Sequence, residues 1–490
     1  MFQVYNPVPM NNNTELGLST GKVEILNWYE RFNIEVARGR IDPATAQAVE
    51  RWYNYCKAGA SFSFVYDMGL AFYIGMNGEE LLTNDRGAIT TTRAGADAYY
   101  QNPSTGFIEA AAANTPRFES GKFGAALLSE RAGTNLCQRS SEVSHAAWTK
   151  VTCSATADVA FIEDPANGNT ADMITSSGTN WHAAYNTGVA ATGRGVASIY
   201  AKARYNTEAI TLRLTGSSGG PESDQAATLT TGDWQRIQVA NTNLPTGNWQ
   251  VEIQGATAGQ NVLVWGVQIE DGRSVASSYM PGSGAVGTRT AGDVHTLTVG
   301  SGVVNPMRGS VAFWLYPQWV YNNGRQHSII RLGTSSDYAV QIVKNSGNNF
   351  EVSAKLAGST QIFHIATNGS FINSQAWNHF AFTWDYEAGS TALYHNGTER
   401  STGSQATEVV QPVTAIQIGD ATNGMDGKID DICVWRNPLS ATEVGHIYNL
   451  GKAIGYGRNR WDALRVKSHN LKQNSTNLYD WAATFEEIIS

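Results

Sequence analysis

Hydrolases keep their chemistry in paired carboxylates, and among the adjacent pairs of this chain Glu270-Asp271 and Asp430-Asp431 fall in strand-like stretches of the two all-β blocks. A glycosidase needs an acid and a second carboxylate facing one cleft. On a strand that means alternate positions, because successive side chains point to opposite faces. The neighbours in VQIEDG and KIDDICVW therefore do not form such a pair, and a structural role at a strand end or on a calcium ion is expected for them. Nucleophile signatures are missing too. The spelling G-x-S-x-G occurs only in GLSTG at 17–21 and GSSGG at 216–220, neither of which opens a helix as a nucleophile elbow must, and there is no H-E-x-x-H. His182, His364 and His379 alternate with apolar neighbours and read as sheet residues rather than ligands.

Two constellations suit binding better than catalysis. In QWVYNNGRQH, Trp319 and Tyr321 flank a polar turn of Asn322, Asn323 and Arg325. A sugar has an apolar face and a polar rim, so this loop is the candidate carbohydrate site. The alternative is that both aromatics pack beneath the loop or against another subunit. In GDATNGMDGKIDD, Asp420, Asp426 and Asp430 supply oxygen ligands of the kind a structural calcium takes. No other cofactor is expected.

The elements that must position these residues are mainly strands. The 490 residues suffice for roughly three domains. Charged residues are 16%, below the roughly 25% usual in globular chains, while Gly, Trp and Tyr are plentiful. That balance suits turn-rich β-structure. The net charge of -8 comes without a basic cluster, which excludes the phosphate-neutralising surface of a nucleic-acid binder. Cys56, Cys137, Cys153 and Cys433 form no C-x-x-C pair and are expected as free thiols. The N-terminus lacks a basic start followed by an apolar core, and no apolar run approaches membrane-helix length, so cytoplasmic synthesis without membrane insertion is expected.

Periodicity divides the chain. Residues 1–20 read as an arm. Residues 21–84 read as a small α+β attachment domain, with a helix opened by Asp42-Pro43 and ended by Gly59. Residues 85–135 are weakly periodic and read as an extended connector along the surface of neighbouring domains. All-β blocks follow at 136–285 and 286–452, each expected to be a jelly-roll sandwich with its own complete strand set. Their landmarks share an order: VASIYAKA matches SVAFWLYP, TGDWQRIQV matches SQAWNHFAF, and NVLVWGVQIE matches KIDDICVW. Trp234, Trp265, Trp377 and Trp435 are expected to be largely buried. Ser440 and Glu443 form a capping box for a closing helix that Gly451 should stop. Residues 453–490 read as an extended tail that packs against a neighbour. The fold class is thus mainly β, two jelly rolls after a small α+β domain.

Resemblance sharpens this. WNHFAFTWD, ALYHNG, IQIGD and GKIDDICVWRNPLSATEV resemble, in order, the laminin-G-like members of the concanavalin A-type jelly rolls. The laminarinase-type hydrolases of that fold carry E-x-D-x-x-E on one strand, and no such motif occurs here. GFIEAAAANTPRF, GAALLSERAGTNL and AAWTK resemble a module of tailed-phage tail and fibre proteins that leads into a carbohydrate-binding-like jelly roll. VQIEDGRSVASSYMPGSGAVGTRTAGDV is similar to the segment closing that jelly roll; Ser129 in the first module and Met280-Pro281-Gly282 in this one depart from the usual pattern. The resemblance implies a virion component without catalysis, such as a tail, fibre or decoration protein. Its expected partners are other virion proteins, further copies of itself as a homo-oligomer, and a host surface glycan. The rivals are a virion depolymerase or glycosidase and a sleeve that binds no ligand.

Overall fold

Alternation decides the architecture. In Glu208–Gly216 the side chains of Ile210, Leu212 and Leu214 are buried while Thr211 and Arg213 reach toward solvent. Trp249, Val251 and Ile253 do the same in Trp249–Gly255. The computed structural model describes residues 89–454 except 96, 188–192, 300–303, 336, 356–361 and 405–411. It also places strands at Glu15–Leu18, Asn33–Ile41, Leu70–Ile74, Met76–Asn77, Glu80–Leu81, Leu464–Ser475 and Leu478–Glu487. The expected helix after Asp42, and Trp28, Trp52, Tyr53, Tyr55 and Trp461, lie outside the described residues, as does the side chain of His364.

The central block is a sandwich of two five-stranded antiparallel sheets. One runs Trp148–Val151, Trp181–Asn186, Trp249–Gly255, Glu208–Gly216, Ser223–Leu229. The other runs Cys153–Thr156, Asp172–Ser176, Asn261–Asp271, Gly195–Ala203, Gln235–Asn241. Trp148, Trp181 and Trp249 fill the core between them with Ile199, Leu212 and Val264. In the C-terminal sandwich, Phe313, Phe380, Trp384, Val340 and Ile432 do that work.

The matched landmarks are spatial equivalents. Gly195–Ala203 lies between Gln235–Asn241 and Asn261–Asp271, and Arg308–Pro317 lies between Asn378–Asp385 and Gly427–Trp435. Both triplets carry a bulge at the same place, where Gly266 (φ 65°) and Asp431 (φ 53°) adopt left-handed backbone. The second bulge thus falls at Asp431, and Asp430 and Asp431 are both buried.

Residues 89–135 are not a surface connector. Ile89–Thr92 pairs with Val294–Thr298 at the end of the seven-stranded sheet of the C-terminal sandwich. Arg117–Ser120 and Ala125–Ser129 extend its other sheet through Gly427–Trp435, which Leu70–Ile74 also joins. The central sandwich is therefore inserted into the C-terminal one. At the insertion neck, Gly133–Asn135 pairs with Gly287–Arg289. A fragment 136–452 thus lacks strands that its second sandwich needs. Weak periodicity hid this because AALLS is buried at every position.

Four further details complete the picture. Trp265 and Trp435 are buried in strands, whereas Trp234 and Trp377 are half-buried and stand just before theirs. The capping box forms, with Ser440 N donating to Glu443 Oε2 at 2.7 Å and Glu443 N to Ser440 Oγ at 3.3 Å. The helix Ala441–Ile454 buries Val444 and Ile447 and runs past Gly451, since one glycine costs a helix only about 1 kcal/mol. The tail is a hairpin, Leu464–Ser475 with Leu478–Glu487, whose second strand pairs with Asn33–Ile41 of the same chain.

Candidate functional site

The aromatic loop expected to bind sugar is closed. Trp319 is 1% exposed, donates its indole N–H to Met425 O at 2.9 Å, and stacks on His327 with ring centroids 4.6 Å apart. Lys344, fully buried, ties the loop down from below. Its ammonium donates to Asn323 Oδ1 at 2.7 Å, Arg325 O at 2.9 Å and Asn348 Oδ1 at 2.9 Å. The Arg325 guanidinium lies against Gly272 of the other sandwich, where an added Cβ would sit 2.1 Å from Nη2. Tyr321 is half-buried and Asn322 is exposed. The loop belongs to the contact between sandwiches, so Trp319 offers no platform.

The three aspartates proposed for calcium do not converge. Asp420 accepts from Thr422 N and Asn423 N, each at 2.9 Å, and Asp430 accepts from Phe123 N at 3.3 Å and Asp431 N at 2.9 Å. Asp426 is held by Arg131, by Arg273 Nη1 at 3.2 Å and by His327 Nδ1 at 3.3 Å. Among the described residues no group of three or more metal-ligating side chains gathers. Guanidinium groups occupy the carboxylate that calcium would need.

Asp426 is one corner of a buried ionic network at the insertion neck. Asp293 binds Arg93 at 2.9 Å and Arg117 at 2.5 Å. Glu130 binds Arg117 at 2.8 Å and Arg289 at 3.1 Å, and accepts from Ser278 Oγ at 2.6 Å. Glu270 binds Arg273 at 3.0 Å and accepts from Ser277 Oγ at 2.6 Å. Burial would raise the Glu130 carboxyl, but Arg289, Arg117 and Arg273 outweigh it and hold it down to about 2. The same contest, won by Arg117 and His295, keeps Asp293 well below the usual carboxylate range. Burial pushes His295 and His327 down to about 4 despite neighbouring carboxylates. Glu270 and Asp271 thus sit at a structural joint, and Glu270 is 1% exposed.

An open site lies elsewhere. The hairpin Ala98–Gln101 and Ile108–Ala111 stands beside the central sandwich, tied to it by Ile108 N donating to Pro165 O at 2.7 Å. Between them is a cleft of about 580 Å³ lined by Gln101, Phe161, Glu163, Lys202, Asp233 and Trp234, among others. Trp234 is half-buried, its indole N–H fixed on Glu163 O at 2.9 Å. Phe161 is 98% exposed on a left-handed backbone, φ 62°, a conformation costly for a bulky side chain. Its loop is nevertheless rigid at the base. Buried Asp164 accepts from Ala166 N at 2.8 Å, Gly168 N at 2.9 Å and Thr170 N at 2.8 Å. The result is an aromatic step with two carboxylates and one ammonium at its rim. Sequence reading passed over it, although a lone phenylalanine before E-D-P-A-N-G-N-T was a usable signal.

Residues 290–445 match the family model described as concanavalin A-like lectin/glucanases superfamily. Among solved structures, the binding domain of botulinum neurotoxin DC in complex with rat synaptotagmin II is 18% identical, with 32% of this chain and 40% of that one covered at a TM-score of 0.28. The Ruminococcus gnavus IT-sialidase CBM40 bound to alpha2,3 sialyllactose is 13% identical, with 29% and 83% covered at 0.24. This chain therefore spans less than half of the neurotoxin domain. A search of curated proteins finds no match.

Proposed function

We propose that the chain is a non-catalytic, glycan-contacting component of a tailed-phage virion, and that the cleft beside Trp234 is where the sugar docks. The cleft carries this reading. It joins a fixed indole and an exposed phenyl ring to hydrogen-bonding groups at a rim open to solvent, the combination a pyranose ring requires. The lectin-type fold of residues 290–445 supports a surface role, and the phage-module resemblance supports a virion one. Weak single-site affinity would be multiplied by symmetry-related copies. Assembly is assigned to the terminal sheet, in which Glu15–Leu18 and Leu464–Ser475 are the outer strands among the described residues.

The test is calorimetric titration of host capsule or lipopolysaccharide fragments against the full chain and its Trp234→Ala variant. Binding by the first and not the second is expected. Equal binding by both sinks the cleft assignment. Release of new reducing ends from the same polysaccharides overturns the non-catalytic reading in favour of a depolymerase. Gold-labelled antibody that fails to decorate intact particles removes the virion assignment.

A further inference from the structure

Lys344 ends the strand Tyr338–Lys344 fully buried, and no carboxylate pairs with it among the described residues. Its Nζ lies 2.7 Å from Oδ1 of Asn323, whose own surroundings are those of a polarised amide. Asn323 Oδ1 also accepts from the backbone N–H of Arg325 at 3.1 Å. Its amide nitrogen sits 2.8 Å from His327 Nε2. His327 is held in place by the stack on Trp319 and by Asp426, with Arg131 Nη2 3.3 Å from the same Nδ1. With Nδ1–H directed at Asp426, Nε2 is left as an acceptor and a base. A nucleophile, a carbonyl with donors on its oxygen, and a base at the leaving group are therefore in one place, with Lys344 and His327 buried and Asn323 half-buried.

We propose that Lys344 and Asn323 join as an intramolecular isopeptide bond. The neutral Lys344 amine attacks Asn323 Cγ, and the carbonyl π electrons move onto Oδ1, where the Arg325 N–H stabilises them. Nζ loses a proton to His327 Nε2, and Asp426 stabilises the imidazolium. The intermediate collapses, the Cγ–Nδ2 bond breaks, and the departing nitrogen takes that proton from His327. One amide replaces another and one ammonia leaves, so no oxidant or cofactor is needed. Burial, with Arg131 and Arg194 nearby, brings the lysine down to about 8, which leaves roughly a tenth of it neutral at pH 7. Asn348 lies as near, with Oδ1 at 2.9 Å from Nζ, yet no base is seen at its amide nitrogen among the described contacts.

Intact mass and a tryptic map of the full chain decide it. The expected result is a protein lighter than its sequence by one ammonia, with trypsin silent at Lys344 and a branched peptide joining 323 to 344. Lys344→Met and Asn323→Ala should each restore the unbridged mass, and His327→Gln should slow the loss in freshly refolded protein. A wild-type chain at full sequence mass after prolonged incubation overturns the proposal without reference to any variant. Asn323-Gly324 can also lose ammonia by closing on its own backbone, so linear peptides that hydroxylamine opens would assign the loss there and overturn it. A branch from Lys344 to Asn348 would overturn it equally.

Discussion

Two places in this chain set a pair of aromatics among polar side chains and meet opposite fates. Phe161 and Trp234 stand among Glu163, Asp233 and Lys202 and line an open cleft. Trp319 and Tyr321 stand among Asn322, Asn323 and Arg325, and Trp319 is sealed beneath them. The first is assembled from residues 161–164, Lys202 and 233–234, the second from the single stretch 319–325. What separates them is what lies underneath. Asp164 stiffens the first loop from within by accepting from its own turn. The second is drawn inward by Lys344 and pressed by the other sandwich at Gly272. An aromatic beside a polar turn is a binding site only when no other part of the chain has a claim on it.

The comparison can be broken most forcefully at the joint that closes the second loop. Arg117→Ala strands Glu130 and Asp293 as buried, under-compensated charges, and should cost about 3–5 kcal/mol. Urea unfolding followed by tryptophan fluorescence should show it, and loss of one cooperative transition in favour of two would identify the joint as what couples the sandwiches. Of comparable size, Trp319→Ala should cost about 3–5 kcal/mol by emptying a core site while leaving glycan affinity unchanged. If it abolishes binding without destabilising the protein, the closed-loop assignment is wrong.

Acid should separate the sandwiches. His295 and His327 have folded values near 4 against an unfolded value of 6.5, so the unfolded state binds more protons as pH falls from about 6.5 to 4 and stability drops. Glu130, held at about 2, adds a loss from its unfolded value, about 4.3, down to 2. Those groups belong to the C-terminal sandwich and the neck. Hydrogen exchange at pH 4 should therefore find that sandwich opening before the central one, and the reverse order would refute the argument. The smallest effect sharpens the open site. Phe161→Gly relieves left-handed strain and removes no core contact, so stability should stay within about 1 kcal/mol, with glycan binding weakened in calorimetry. A large loss of stability would mean that Phe161 packs after all.

The strands were legible where alternation was strong, as in WNHFAFTWD, which forms Asn378–Asp385 with Phe380, Phe382 and Trp384 turned into the core. The turns were legible as well. Ala388 N caps on Asp385 Oδ1, and Asn396-Gly397 adopts the left-handed backbone its type suggests. The joint was not legible, because its partners meet across long separations. Arg93 and Asp293 are 200 residues apart, and Ser278 and Glu130 are 148. Nothing in SERAG or EDGRS names the other. The cleft escaped for a related reason, since Trp234 in TGDWQRIQV reads as the start of a core strand and its neighbour Phe161 comes from a distant loop.

The insertion also sets an order of events during synthesis. Ala125–Ser129 leaves the ribosome about 300 residues before Gly427–Trp435, its hydrogen-bonding partner. The central sandwich, complete within a contiguous stretch, has no such wait. By closing first it draws Gly133–Asn135 onto Gly287–Arg289 and shortens the loop that the flanking strands must close. The inner domain thus acts as an internal clasp for the outer one. A nascent chain stalled near residue 330 should already resist protease through 150–280 and still be cut between 117 and 129.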